Sequence, residues 1–339
     1  MLTNAKRRCA CRGWMRSTLI GKAATVRAFD REPEGRIQQA RQDRRARSLD
    51  VAVRRVLLRR ELAIAKKYYH LGQRQTWPYV VLAVLGIPLW LALLPLAMLH
   101  LIPVGVAGFI AVLLVPAIWV AGHEAMHSTI GREGSPRRGW NEAVGKLAML
   151  PMLYPFSIAR IIHLQHHRHC NDPVHDPDYH AAAASYPLAI RKFWLSRQRG
   201  PDAYMHQVRR VVCDHVSPAE AQHMLRTTAM MQVAGYLFFI ALALQGYAIE
   251  IALIWWLPRW AALFFIQVGL GWDPHHPHGG TGRYDSTRIF RSRFGCVSMG
   301  IEGHLAHHLY PTIPMHLTKR ALAEMRPLLE QRGVDFTDF

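Results

Sequence analysis

The chain has 339 residues, half of them hydrophobic, with a formal net charge of +19 and 20 histidines. That combination describes a membrane protein with basic margins. Five dispersed cysteines exclude a disulfide framework, and the lack of a recognisable binding module sets nucleic acid aside as the partner of so much positive charge.

Residues 1–50 are rich in arginine with scattered acids and hold no apolar stretch of signal-peptide length, so they read as a largely disordered tail. A polybasic contact with anionic lipid or a weak targeting segment is the functional reading. A solvated tail, or sequence ahead of a later start such as Met15, is preferred. The Cys9-x-Cys11 pair within it is only a weak metal signal. Residues 51–76 form a basic amphipathic helix in which Val53, Val56, Leu57, Leu62 and Ile64 alternate with arginine pairs, and it is expected to lie on the membrane surface. A membrane domain is assigned to 77–325 and a C-terminal tail to 326–339.

The apolar sequence from Trp77 to Ala121 is too long for one span and is interrupted at His100 to Pro103, which gives spans over 78–99 and 101–121 joined by a tight turn. Pro88, Pro95 and Pro116 inside these runs are tolerated where neighbouring helices re-satisfy the freed carbonyls. A second apolar region, Met230 to Gly271, is broken at Gln245 and Glu250 and gives spans over 228–244 and 251–270. Four spans put both termini and the central segment on one side. Those regions are rich in Lys and Arg whereas the two short turns carry none, so that side is cytoplasmic. The expected fold is all-α and integral to the membrane, with about four transmembrane helices and a cytoplasmic helical cap.

Eight histidines stand beside the apolar runs in three clusters: His123 and His127; His163, His166 and His167; His304, His307 and His308. Residues three and four apart share a helix face, so each cluster can aim its imidazoles at one point. One ion rarely needs more than four protein ligands, so two ions are predicted, of a kind suited to imidazole such as iron, copper, nickel or zinc. Asp172, Asp176 and Asp178 follow the second cluster, either as acceptors for imidazole N–H groups or as turn and capping residues. Cys170 is expected as a packed thiol, and His169 and His175 in surface or supporting roles. His275, His276 and His278, just beyond the fourth span, are candidates to complete a ligand set.

The first cluster also satisfies H-E-x-x-H, which would make Glu124 the general base of an intramembrane zinc protease. That enzyme needs only one further ligand and leaves the remaining imidazoles idle. A membrane metal transporter would set polar ligands near the bilayer midplane, whereas these lie at its margin.

The ordered boxes HEAMH, HLQHH and HLAHH on a four-span frame resemble the membrane fatty acid desaturase superfamily, which takes in acyl-lipid and acyl-CoA desaturases with related lipid and carotenoid hydroxylases and ketolases. The resemblance covers about residues 75–325. HHRHCNDPVHDPD and HHLYPTIP extend it, and Asn141 to Arg160 is similar to the family's semi-apolar segment along the membrane. DPHHPH followed by Arg283-Tyr284 is similar to a Pro-His element of the carotenoid-modifying branch, and selects His275 as a ninth ligand.

The resemblance implies a non-haem diiron centre held by the eight box histidines and His275, with dioxygen as co-substrate and a lipid C–H bond as target. A fatty acyl desaturase is the leading expectation and a carotenoid or other lipid hydroxylase or ketolase the alternative, with Glu124 supporting a ligand. The chemistry agrees, since an unactivated C–H bond offers no acid to deprotonate and no carbonyl to polarise, so a redox metal must supply the oxidant. No dinucleotide fingerprint or four-cysteine cluster pattern is present, so a ferredoxin-like or cytochrome-b5-like donor is expected to meet the basic face.

Overall fold

Two apolar helical hairpins frame the molecule. The structure, a computed structural model, describes residues 51–198, 203–290 and 301–337. The expected tail over 1–50 with Cys9 and Cys11, and also Cys296, lies outside the described residues.

In the first hairpin, α2 (Trp77–Met98) and α3 (Val104–Met126) are joined by a turn in which His100 takes a left-handed φ of 57° and Leu101 N–H donates to Leu96 O. Pro88, Pro95 and Pro116 all sit within continuous helix. Length and apolarity single out α2, α3 and a third stretch, Pro218–His275, as able to cross a membrane. That third stretch is itself a hairpin. α8 (Pro218–Leu242) and α9 (residues 248–270) meet at Gly246, whose φ of 101° suits a residue without a side chain. In one continuous helix Phe239 and Trp255 would stand about 24 Å apart. Their rings instead stack with centroids 4.0 Å apart, so the chain reverses between them.

The hairpins lock together where Trp90 Nε1 donates to Ile254 O at 3.1 Å, and where Gly108 lets Leu253 approach so closely that a Cβ there would lie 3.0 Å from it. Ala83, Ala107, Ala111 and Ile118 are sealed inside, whereas Leu85, Phe109, Leu113 and Leu237 point outward as a lipid-facing belt.

Between the hairpins run α4 (Arg138–Ala148) and α5 (Phe156–His169), with a bend of 96° between Arg138–Met152 and Phe156–His169. Two smaller helices, α6 (Tyr186–Leu195) and α7 (Tyr204–His215), follow; Val208 and Val212 of α7 pack on Ile158 and Ile162 of α5.

A second core joins α1 (Val51–Arg74), α10 (His304–Leu309) and α11 (Met315–Gln331) through Ala65, Tyr68, Leu305, Leu317, Leu322 and Met325. In α1 the apolar residues divide between two faces. Leu57, Ala65 and Tyr68 are buried with Glu61, while Val53, Val56 and Leu62 are exposed. The chain from 326 onward, expected as a tail, continues α11 to Gln331, because Leu329 and Phe336 are apolar and pack into this core.

Candidate metal centre

The second span does not stop at Ala121. Nothing in Gly122-His123-Glu124-Ala125-Met126 breaks a helix, so α3 runs on and carries the first box on its last turn. It ends in a left-handed cap. Ser128 takes φ 57°, its N–H reaches Ala125 O and Thr129 N–H reaches Glu124 O, which satisfies the last carbonyls. Asn141 Nδ2 and Arg160 Nη2 both donate to Ala125 O, tying this turn to α4 and α5.

The box histidines form two adjacent donor groups. His123, His127, His163, His167 and His307 bring donor atoms within 4.8 Å of one another. His166, His275 and His308 lie together beside them with Cys170, donor atoms again within 4.8 Å, and His304 adjoins this second group, its Nε2 3.0 Å from His275 Nε2 and 3.1 Å from His308 Nε2. The groups abut where the His167 and His308 rings stack with centroids 4.2 Å apart.

The expectation that each cluster aims at one point is therefore corrected. The first box does so. The second sends His163 and His167 one way and His166 the other, and the third divides His307 from His304 and His308. Adjacent residues on an α-helix point about 100° apart, so each His-His pair straddles the boundary between groups while its i,i+4 pair stays on one side.

Several rings are held from behind. His166 Nδ1–H donates to Asp176 Oδ1 at 3.0 Å, leaving Nε2 free, and the buried Asp176 also accepts from Asn171 N–H and Asp178 N–H. Asp176 is thus both turn former and imidazole acceptor. Asp172 caps only its own turn, accepting from Val174 and His175 N–H, which holds its carboxyl down at about 2. Asp178 reaches no closer than 4.0 Å to His166.

His275 presents Nε2 to His304, while its Nδ1–H donates to Ser286 O at 3.1 Å. Asn171, left-handed at φ 63°, fixes that carbonyl through its Nδ2. His276 turns away to Ala183 O, and the His278 ring lies 6.3 Å from that of His275. Cys170 is buried near the second group, but its Sγ touches His275 Nδ1, the nitrogen turned away from His304, and packs on Ser286 O. One ring cannot present both nitrogens to one ion, so the thiol sits behind the ligand side.

Glu124 is also accounted for. Its Oε2 accepts from Thr129 Oγ1 at 2.7 Å and its Oε1 from Met315 N–H at 2.9 Å, tying the first box to the start of α11. It stands 3.8 Å from His123 Nδ1.

The donor set fits metal ions. Nε2 of His163 lies 2.7 Å from that of His127 and 3.1 Å from that of His167. An octahedral ion with nitrogens at about 2.1 Å sets adjacent nitrogens about 3 Å apart. Both ring nitrogens of His307 are buried with no hydrogen-bond partner. Burial, reinforced by neighbouring imidazoles, pushes His304, His307 and His308 well below the usual histidine range, so they stay neutral with a lone pair to offer.

Beside the first group opens a cavity of about 510 Å³, lined by His163, by apolar residues of the spans such as Trp256, Leu263 and Ile266, and by polar groups unmarked in the sequence, among them Arg197, Arg259 and Gln267. Asn171, Ser286 and these cavity residues carry no spacing that would have announced them.

A fatty acid desaturase family model matches residues 101–339. Among curated proteins, an sn-1 oleoyl-lipid 12-desaturase of Anabaena variabilis is 29% identical over 42% of this chain and 39% of its own length. The dihydrorhizobitoxine desaturase of Bradyrhizobium elkanii is 26% identical over 62% of this chain and 66% of its own. A zeaxanthin 4-ketolase of Chlamydomonas reinhardtii is 30% identical over 24% of this chain and 18% of its own. The chain thus spans less than half the length of each oleoyl-lipid desaturase it matches.

Proposed function

The chain belongs to the fatty acid desaturase family, and from that premise we propose that it is a membrane oxidoreductase, a dioxygen-dependent diiron oxidase of lipid C–H bonds, with a fatty acyl chain as the first choice of substrate. The observation that carries this reading is the gathering of nine imidazoles from four separate segments into two abutting groups, with His163 of the first group at the wall of a largely apolar cavity. His123, His127, His163, His167 and His307 would hold one iron, and His166, His275, His304 and His308 the other. Such a pair supplies the redox chemistry, with dioxygen and two external electrons, that an unactivated C–H bond demands.

The protein's own part is positioning. Asp176 and Ser286 O each take an Nδ1 proton, which commits His166 and His275 to offering Nε2. The cavity excludes water along Trp256, Leu263 and Ile266 and leads an apolar chain to His163. The distribution of Lys and Arg assigns both termini and the metal groups to the cytoplasmic side, where a ferredoxin or cytochrome b5 type donor can reach them.

The zinc protease reading leaves most of the gathered imidazoles idle, and Glu124 is engaged in tying the first box to Thr129 and Met315. A carotenoid or other lipid hydroxylase or ketolase is the second reading, favoured by the place of His275 in the Pro-His element and by the likeness to a zeaxanthin ketolase.

Metal analysis of the purified protein together with mass spectrometry of lipids and pigments after heterologous expression tests the proposal. Iron with a product short of two hydrogens supports the acyl desaturase. An oxygen-bearing product supports the second reading. One tightly held zinc without iron overturns both.

A further inference from the structure

Around the polar part of the cavity the lining is rich in donors. Arg197 and Arg259 both face it, near enough for each guanidinium to feel the other's charge. Among the described residues neither forms an ion pair. Arg197 donates to Ser196 Oγ and to Gln267 Oε1, stacked on Phe193, and Arg259 donates only to the Met152 carbonyl at 3.4 Å over the Trp255 ring. Asp178 lines the same cavity and its carboxylate feels the charge of Arg197, although among the described residues no ion pair joins it to either arginine.

Two further donors belong to residues of the same lining. Gln267 is 6% exposed, and with its Oε1 taken by Ser196 and Arg197 its Nε2 has no partner; Trp260 Nε1 is buried and equally unpartnered. Two like charges and two orphaned N–H groups around one largely apolar cavity are costly where little water reaches them. A ligand that is rich in acceptors and carries negative charge satisfies all four.

We propose that this polar lining is the head-group subsite of the cavity and that the substrate is an anionic amphiphile, a carboxylate or phosphate ester whose oxygens are held by Arg197, Arg259, Gln267 and Trp260 while its apolar chain runs toward His163. This rests on the oxidase reading for the identity of the cavity as a substrate site. It favours an acidic acyl lipid over an uncharged isoprenoid. Arg259 lies near the middle of α9, so the charged group would enter deep into the cavity rather than rest at its mouth.

Binding to the purified full chain in detergent, read by quenching of tryptophan fluorescence, tests this without turnover. The probes are oleate, 1-oleoyl lysophosphatidate and the neutral oleyl alcohol. At least one anion should bind about tenfold or more tightly than the alcohol, and which anion does so separates carboxylate from phosphate. Arg259→Gln and Arg197→Gln should each collapse that difference, and Arg259→Lys should restore part of it, which a merely misfolded variant would not allow. Equal binding of all three probes, or a preference that survives both glutamine variants, overturns the proposal. Lipid profiling of the wild type reports separately on the oxidase: selective binding with no oxidised product would sink that reading and leave the anion subsite standing.

Discussion

His166 and His167 are neighbours in sequence yet face different donor groups. His167 sets its Nε2 3.1 Å from that of His163, while His166 lies beside His275 with its ring centroid 4.8 Å away and its Nδ1 on Asp176. The same division separates His307 from His308. Each His-His pair is thus a partition between the two donor groups.

The partition has a stoichiometric consequence. His167→Ala removes one donor from the first group and His166→Ala one from the second, so each should lower bound iron from about two per chain toward about one, with loss of product in both. Metal analysis and lipid profiling of the two variants check this. If both variants kept full iron and product, the shared site would be wrong.

Asp176 acts on the second group without belonging to it. Asp176→Asn preserves shape but can offer an amide N–H where His166 needs an acceptor, so metal affinity or activity should fall about 10- to 100-fold while helix content is retained. Iron titration beside circular dichroism distinguishes this from unfolding.

How much of this could be read from the chain follows from the reach of local rules. Box spacing is a helix-face property, so His123 with His127, and His163 with His167, were legible. The reversal near Gly246 was also legible, because Gln245 and Glu250 interrupt an apolar run. The direction taken by the second histidine of each pair depends on how α5 and α10 are rotated about their axes, which is set by packing. Asn171, Ser286 and Arg259 were invisible for the same reason: each acts across a gap of many residues, with nothing periodic to mark it.

Glu124 offers a discriminating substitution. As a general base its loss should cost about 10²- to 10⁴-fold in rate. As a tie between Thr129 and Met315 it should tolerate Glu124→Gln with a loss of about tenfold at most, whereas Glu124→Ala leaves the buried Met315 N–H without its acceptor, Thr129 Oγ1 keeping the residue 124 carbonyl, and should destabilise by about 1–3 kcal/mol. Product yield and thermal denaturation of the two variants separate the roles.

Glu61 in α1 is fully buried and receives Arg332, Tyr284 Oη at 3.2 Å and Tyr310 Oη at 3.1 Å, the last only two residues beyond His308. Glu61→Leu strands the buried Arg332 charge, which should cost about 3–5 kcal/mol. Replacing both, Glu61→Leu with Arg332→Met, should recover much of that loss. Thermal melting of the single and double variants in detergent measures the coupling; equal destabilisation by both would show that the ion pair is not the source.

Gly303, immediately before the third box, lies against α11 so closely that a Cβ would stand 2.5 Å from Lys319 N and from Thr318 Oγ1. The first of these is backbone and cannot rotate aside. Gly303→Ala must therefore push the start of α10 away from α11, carrying His304, His307 and His308 with it, although no metal donor is altered. A displacement of about 1 Å at a reacting site can cost on the order of 10² in rate. Gly303→Ala should accordingly lose most product and hold iron more weakly. A second variant, Gly303→Ala with Thr318→Ala, which removes the hydroxyl, should recover little, because the obstructing atom Lys319 N remains; full recovery would place the clash on the side chain and refute the backbone argument.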